Sequence, residues 1–262
     1  MCKAEQGVTV IELLISMALV SVVLAGAYNA FLSASKRLVL QNGIVEMQAD
    51  ARAAMDFMVR ELRLAYGTPS ITTTVTTNDT IAFDRLEDAG YSSASSTVNT
   101  RTTLQDTTKT WPTGDDGFNT YYTVRIISGT GSITVTDQAP HSISSNTSTQ
   151  LTIAETWNTI PDTSSRYVIT RHRAFMRTSA SDNVLRYTVG GSVNRALAEL
   201  ITSHAFSQPP GANTIGITLT AQTRDVDPNT RQTRQYTLTE TVQRRNCQVC
   251  QPPPCVWTVC IP

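Results

Sequence analysis

Apolar positions change their spacing along the chain, and each spacing predicts an element. From Val8 to Ser35 the only charged residue is Glu12. Within that stretch, Leu13 to Leu32 is a run of roughly 20 mostly apolar residues, the length that spans a bilayer core of ~30 Å. Beyond it, Leu40, Ile44, Met47, Ala51, Met55, Met58 and Leu62 recur at spacings of three and four, which is one stripe of an amphipathic helix. Glu46, Gln48, Asp50, Arg52, Asp56, Arg60 and Arg63 take the other faces. No proline precedes Pro69, and Gly67 is a stop signal. The pattern therefore predicts one helix from Val8 to Tyr66, running ~90 Å at ~1.5 Å per residue. Gly26 and Gly43 are candidate bends within it, each costing roughly 1 kcal/mol relative to alanine. Only the first part can lie in lipid; the single stripe of the rest suits one face of a β-sheet.

After Tyr66 the period shortens to two, and Thr, Ser, Asn and Gly separate β-branched runs. Strands are predicted at Thr80–Asp84, Tyr121–Ile127, Ser132–Thr136, Leu151–Ala154, Arg166–Thr170, Val184–Val189, Ile215–Ala221 and Arg234–Thr241. A further strand is read within Ala196–Phe206, where Leu200, Thr202, His204 and Phe206 alternate with Ile201 and Ala205. Turns are predicted at Asp88–Gly90, Pro112–Gly117, Gly129–Gly131, Gly190–Gly191, Pro209–Asn213 and Asp225–Asn229. The expected fold class is α+β: a long N-terminal helix whose first half spans a membrane and whose second half packs on an antiparallel β-sheet domain.

Charge names no partner. With 21 basic and 21 acidic residues, the chain lacks the basic excess expected of a nucleic-acid binder. Cysteine placement says more. Cys2 stands alone, whereas Cys247, Cys250, Cys255 and Cys260 crowd the C-terminus. An even, clustered set suits disulfides in an oxidising compartment. A tetrahedral zinc site is the competing reading, since Cys247 and Cys250 form a C-x-x-C half-site. Against it, Cys255 and Cys260 are more widely spaced and Pro252–Pro254 separates the halves. Trp257 is the one large apolar group of this tail.

No catalytic constellation is visible. His141, His172 and His204 have no Cys, Ser, Asp or Glu partner at a recognisable motif spacing, and there is no phosphate loop or nucleophile elbow. Asn78 and Asn146 each begin a glycosylation triplet, a pattern that arises often by chance. No enzyme activity, cofactor or resident metal is expected.

The N-terminus carries the functional signal. A secretory signal peptide is cut behind its apolar run; here the small residue, Gly7, stands in front of it. Cutting there leaves the apolar helix on the mature chain. Glu12 is costly in such a helix, by ~2.5–3.5 kcal/mol at the centre of a span and less near its edge. It either reaches the headgroup layer or meets a positive charge on another subunit. The run Gly7-Val8-Thr9-Val10-Ile11-Glu12-Leu13-Leu14-Ile15 resembles the type IV prepilin cleavage and methylation motif. That resemblance implies a prepilin peptidase cut between Gly7 and Val8, methylation of Val8, and Glu12 as the carboxylate that pairs with a neighbouring subunit's N-terminus during assembly. Two positions depart from the usual pattern: Val8 replaces phenylalanine, and Gln6 replaces the basic residue before the glycine.

Lys36 and Arg37 follow the span, and the positive-inside tendency would put that end in the cytoplasm. The clustered cysteines and the family's topology both place it outside. At the other end, Asn183–Val189, Ala198–Phe206, Ile215–Thr223 and Tyr236–Asn246, finishing on Thr239-Glu-Thr-Val-Gln-Arg-Arg-Asn246, resemble the closing strands of minor pilins of the PilW type and of J-type pseudopilins. The resulting expectation is a leader at residues 1–7, a pilin helix at 8–66 with 13–32 in the membrane, a β-rich pilin domain at 67–246 and a Cys/Pro-rich tail at 247–262. The expected protein is a structural minor pilin-like subunit of a type IV pilus-type filament. It is held first in the bacterial inner membrane by a single pass and later in a cell-surface or periplasmic filament. Its partners are other pilin subunits, through the N-terminal helix, and prepilin peptidase. The alternatives are a J-type pseudopilin of type II secretion and a membrane-anchored binding module or adhesin. Residues 67–180 resemble nothing familiar.

Overall fold

The computed structural model describes residues 9–72, 79–114, 117–131, 139–177, 183–190, 193–209, 212–227 and 230–245. Among the described residues one helix, α1 (Val10–Arg63), precedes twelve strands. In chain order these are β1 (Ala65–Thr72), β2 (Thr80–Tyr91), β3 (Thr103–Gln105), β4 (Tyr122–Ser128), β5 (His141–Asn146) and β6 (Gln150–Ile153). Then come β7 (Arg166–Met176), β8 (Leu185–Val189), β9 (Val193–Ala198), β10 (Ile201–Ser207), β11 (Thr214–Val226) and β12 (Thr233–Gln243). All the strand pairs are antiparallel. This is an α+β, pilin-like architecture: one long apolar N-terminal helix packed on antiparallel sheets.

The second half of α1 buries the stripe that its spacing predicts. Met47, Ala51, Ala54, Met55, Met58 and Leu62 are buried, while Asp50, Arg52, Asp56 and Arg60 between them are exposed and Glu61 is buried with the stripe. They pack on β11 and β12 of the three-stranded sheet β10-β11-β12 and on β9 of the larger sheet. β11 shows why: Ile215, Ile217, Leu219, Ala221 and Thr223 alternate with polar or small residues, and every one of them is buried. Period two on the strand thus meets period 3.6 on the helix. Phe57 of α1 sets its ring edge-on to Phe175 and Tyr187 at 6.2 and 5.0 Å, a geometry that aromatic quadrupoles favour.

The nine-stranded sheet is built around β7. Along one edge β7 pairs with β2; its other edge is shared, by β4 over Arg166–Arg171 and by β8 over Arg173–Met176. The sheet therefore forks. One arm is β8-β9, which closes on α1; the other is β4-β5-β6-β3, with its own core of Leu104, Trp111, Ile143, Leu151 and Trp157. Gly190 marks the fork: its φ is 61°, its N–H donates to the His172 carbonyl at 2.9 Å, and a Cβ there would lie 2.5 Å from the Tyr121 ring.

A buried ionic cluster pins α1 to this sheet. Glu61, in the last turn of the helix, accepts from Arg85 of β2 at 3.3 Å, from Arg173 of β7 at 3.1 Å and from the Tyr187 hydroxyl of β8 at 2.9 Å. Arg173 also donates to Glu87 at 2.6 Å and to the Tyr187 oxygen. Two carboxylates thus face two guanidiniums. Burial is the main influence that pushes the Tyr187 hydroxyl up to about 12, so it remains a donor.

Several expectations need correcting. Asp88–Gly90, read as a turn, lies inside β2, paired with Ile169–Tyr167 of β7 beyond a register shift at Leu86/Asp88. Gly90 is needed there for close approach rather than for turning. A Cβ would lie 2.6 Å from both the Tyr167 hydroxyl and the Asp106 carboxylate that it donates to. The helix ends at Arg63, before Gly67, because Ala65 and Tyr66 pair with Arg85 and Asp84. Ala196–Phe206 is not one strand: Leu200, at φ 62°, breaks it into β9 and β10. Asp225, read as the start of a turn, is still within β11. β1, β3 and β5 were not foreseen, and the strand predicted at Ser132–Thr136 lies outside the described residues. Gly26 and Gly43 sit within an unbroken helix.

The cluster yields a prediction. Glu61→Leu strips Arg85 and Arg173 of a shared acceptor that is only 4% exposed. Removing one partner of a buried pair costs ~3–5 kcal/mol. The lower end is expected, because Arg173 keeps Glu87. Denaturant unfolding of the detergent-solubilised chain measures it; a wild-type midpoint would show that the cluster contributes nothing.

Candidate functional site

The candidate site is the free half of α1. Thr9 caps the helix with extended backbone, φ −72° and ψ 149°, and its hydroxyl accepts from the Glu12 N–H at 3.4 Å. Its carbonyl accepts from the N–H groups of Glu12 and Leu13 at 3.1 and 3.2 Å. Thr9-Val10-Ile11-Glu12 has the Thr-x-x-Glu spacing of a capping box, a signal in the sequence that identifies Thr9 and was not used above. Glu12 thus stands in the first helical turn, where the positive end of the helix dipole favours a carboxylate by ~0.3–1 kcal/mol at exposed sites. Among the described residues its carboxylate makes no hydrogen bond or ion pair. Ile15, Ser16 and Leu19 flank it.

From Val10 to Ala34 every residue is exposed. Leu13, Leu14, Ile15, Met17, Leu19 and Val20 are each about half exposed or more, on all sides of the helix. Such an all-round apolar surface requires lipid or protein around it. Two hydroxyls in this segment are satisfied by the helix itself: Ser16 donates to the Glu12 carbonyl at 2.7 Å and Ser21 to that of Ala18 at 2.8 Å. That arrangement is what a medium without water demands. The helix is long and apolar enough to cross a membrane, with a mean hydropathy of 2.4 over its most apolar window.

Gly7, Val8 and the cysteines Cys247, Cys250, Cys255 and Cys260 lie outside the described residues, as does Trp257. Among the described residues no group of three or more His, Cys, Asp or Glu side chains could hold a metal ion. The fold does bring an acidic side chain to two of the histidines and a backbone carbonyl to the third, which motif spacing did not reveal. His172 lies 3.2 Å from Asp84, His141 lies 4.0 Å from Glu155, and buried His204 bonds the Asp79 carbonyl. Asn146 is occupied by the fold: its amide accepts from Phe118 N–H at 2.8 Å and donates to the Pro112 carbonyl at 2.8 Å.

The prokaryotic N-terminal methylation motif matches residues 2–28. This span covers Gly7, Thr9, Glu12 and most of the apolar run. Motif and apolar helix together support a type IV prepilin-like protein, similar to pilins and pseudopilins, with a helix suited to membrane association. No curated protein and no solved structure matches the chain.

The histidines give a pH prediction. Burial, ahead of the opposing bond to Asp79, lowers the His204 pKa below 6.5. A base with a depressed folded pKa contributes stability that is present above its unfolded value, ~6.5, and lost as pH falls towards the folded value. The bond to Asp84 raises the His172 pKa instead, so its contribution is present below ~6.5 and fades at higher pH. That side chain is 55% exposed, and solvent screens the pair. The melting temperature should therefore drop as pH falls below about 6.5. His204→Gln should flatten that slope; an unchanged slope would remove His204 as its source.

Proposed function

We propose that this chain is a structural, non-enzymatic minor pilin-like subunit, processed by prepilin peptidase and built into a type IV pilus-type filament through its N-terminal helix. The observation that carries the reading is the methylation motif on residues 2–28, with its glutamate placed in an exposed apolar helix. In this reading residues 1–7 are a leader cut between Gly7 and Val8, and 8–66 form the pilin helix with 13–32 in the inner membrane. Residues 67–246 form the β-rich domain outside the cytoplasm, and 247–262 a tail closed by disulfides among Cys247, Cys250, Cys255 and Cys260. The methylated Val8 amine of one subunit pairs with Glu12 of its neighbour. Minor pilins of the PilW type are the preferred subtype, and the C-terminal strand series keeps a J-type pseudopilin of type II secretion as the second reading.

Mass spectrometry of the native protein tests processing and tail together. The N-terminal peptide should begin at a methylated Val8. The unreduced chain should be about four hydrogen masses lighter than the reduced one, as two disulfides require. An intact leader in a strain with active peptidase contradicts the first claim, and stoichiometric zinc with four free thiols the second.

Glu12→Val tests assembly. The variant should still insert, because a carboxylate is removed from an apolar segment, and its cleavage site is untouched. Its recovery in sheared filaments should nevertheless fall sharply at matched membrane levels, since an unmatched charge in a low-dielectric contact costs ~3–5 kcal/mol. Equal recovery would eliminate the pairing role and favour a simple tether.

A further inference from the structure

The membrane-proximal end of the β11–β12 hairpin carries more exposed basic side chains than exposed acidic ones. The strand directions are fixed by two contacts. At the far end of α1, the Arg245 N–H donates to the Arg63 carbonyl at 2.9 Å. At the near end, Asp225 and Val226 line a notch with Ser35, Lys36, Val39 and Leu40 of the helix. β11 therefore runs down towards the membrane-proximal part of α1, and β12 returns from Thr233, the partner of Val226.

The level of this end is informative. The apolar run closes at Leu32, and at ~1.5 Å per residue Ser35 to Leu40 stand about 5 to 12 Å further along the helix. Headgroups occupy roughly 5 to 8 Å on each side of the hydrocarbon core. The hairpin end thus falls at the outer border of the headgroup layer. Lys36, Arg37, Arg224, Arg231 and Arg234 are all exposed there. Asp225 and Glu199 are the exposed acids beside them, Glu199 meeting Arg224 at 3.3 Å through side chains 62% and 71% exposed, while Asp227 is buried against Arg234. Val226 is 56% exposed beside them, at the lipid-facing end of an otherwise regularly alternating strand.

We infer that before assembly the β11–β12 hairpin rests on the outer surface of the membrane, with Arg224 and Arg231 joining Lys36 and Arg37 on anionic lipid headgroups and Val226 turned towards the interface. The inference rests on the anchored topology proposed above. Basic residues next to a span are drawn to anionic headgroups, and the attraction fades beyond a Debye length. This contact would fix the tilt of the domain about the helix, and it must be released when the subunit leaves the bilayer.

Hydrogen–deuterium exchange of the full chain tests this, at one chain per nanodisc, in phosphatidylcholine alone or mixed with phosphatidylglycerol. Amides at the end of β11 and the start of β12 should exchange severalfold more slowly in the anionic discs. High salt and the double variant Arg224→Gln/Arg231→Gln should each abolish the difference, while β7 amides, which report on folding, stay unchanged. Equal exchange in the two lipids would overturn the inference. So would protection that follows the number of chains per disc rather than lipid charge, which would mark a contact with a second copy. Exchange along Leu13–Leu32 in the same data reports anchoring separately, so failure of the span to insert is distinguishable from failure of the hairpin to dock.

Discussion

The Glu61 carboxylate, held by Arg85, Arg173 and Tyr187, sets where the helix stands against the sheets. The apolar stripe alone leaves that position loosely defined. Burial of apolar surface is non-directional, methionine adapts to irregular gaps, and a shift of one turn, ~5.4 Å, brings a similar row of side chains onto β11. Hydrogen bonds from three separate strands to one carboxylate do not survive such a shift. The cluster therefore contributes geometry more than net stabilisation, since buried ion pairs often do no better than apolar replacements. Everything displayed at the other end of α1 inherits its height and rotation from this point, because the helix between is unbroken.

One helix answers to two solvents. From Met47 onwards its buried apolar side chains occupy one stripe, and its polar ones, Glu61 apart, face outward. Before Ala34 it is apolar all round and, among the described residues, exposed throughout. The same backbone hydrogen bonding serves both halves, and a helix is the open-ended element that satisfies its own polar groups in lipid. Glu12 is the exception in the apolar half, and its place in the first turn moderates the conflict through the helix dipole.

The anchor was legible because its signals are local. A charge-free run, a glycine before it and a glutamate in register can be read without knowing any contact. The helix stripe and the alternation of β11 were legible for the same reason. What failed was non-local. Asp88-Ala89-Gly90 has turn composition, but pairing with β7 overrides it, and Gly90 answers to Tyr167 and Asp106, residues far away in the chain. Leu200 carries no turn signal, yet it breaks an apparently continuous strand. Glu61 has no local signal that sets it apart from the other polar residues of the helix. Its burial depends on two arginines from strands that sequence spacing does not bring together. The acids beside His141 and His172 likewise come from elsewhere in the chain.

The fork at β7 divides the work of folding unequally. The β8-β9 arm, with the three-stranded sheet and the helix, shares one hydrophobic cluster; the β4-β5-β6-β3 arm closes around another. Cooperative units of this kind open with separate free energies. Breathing of the outer arm leaves the helix seat intact, so the outer arm is where sequence can drift, loops can lengthen and new surfaces can be tried without disturbing how the subunit is mounted.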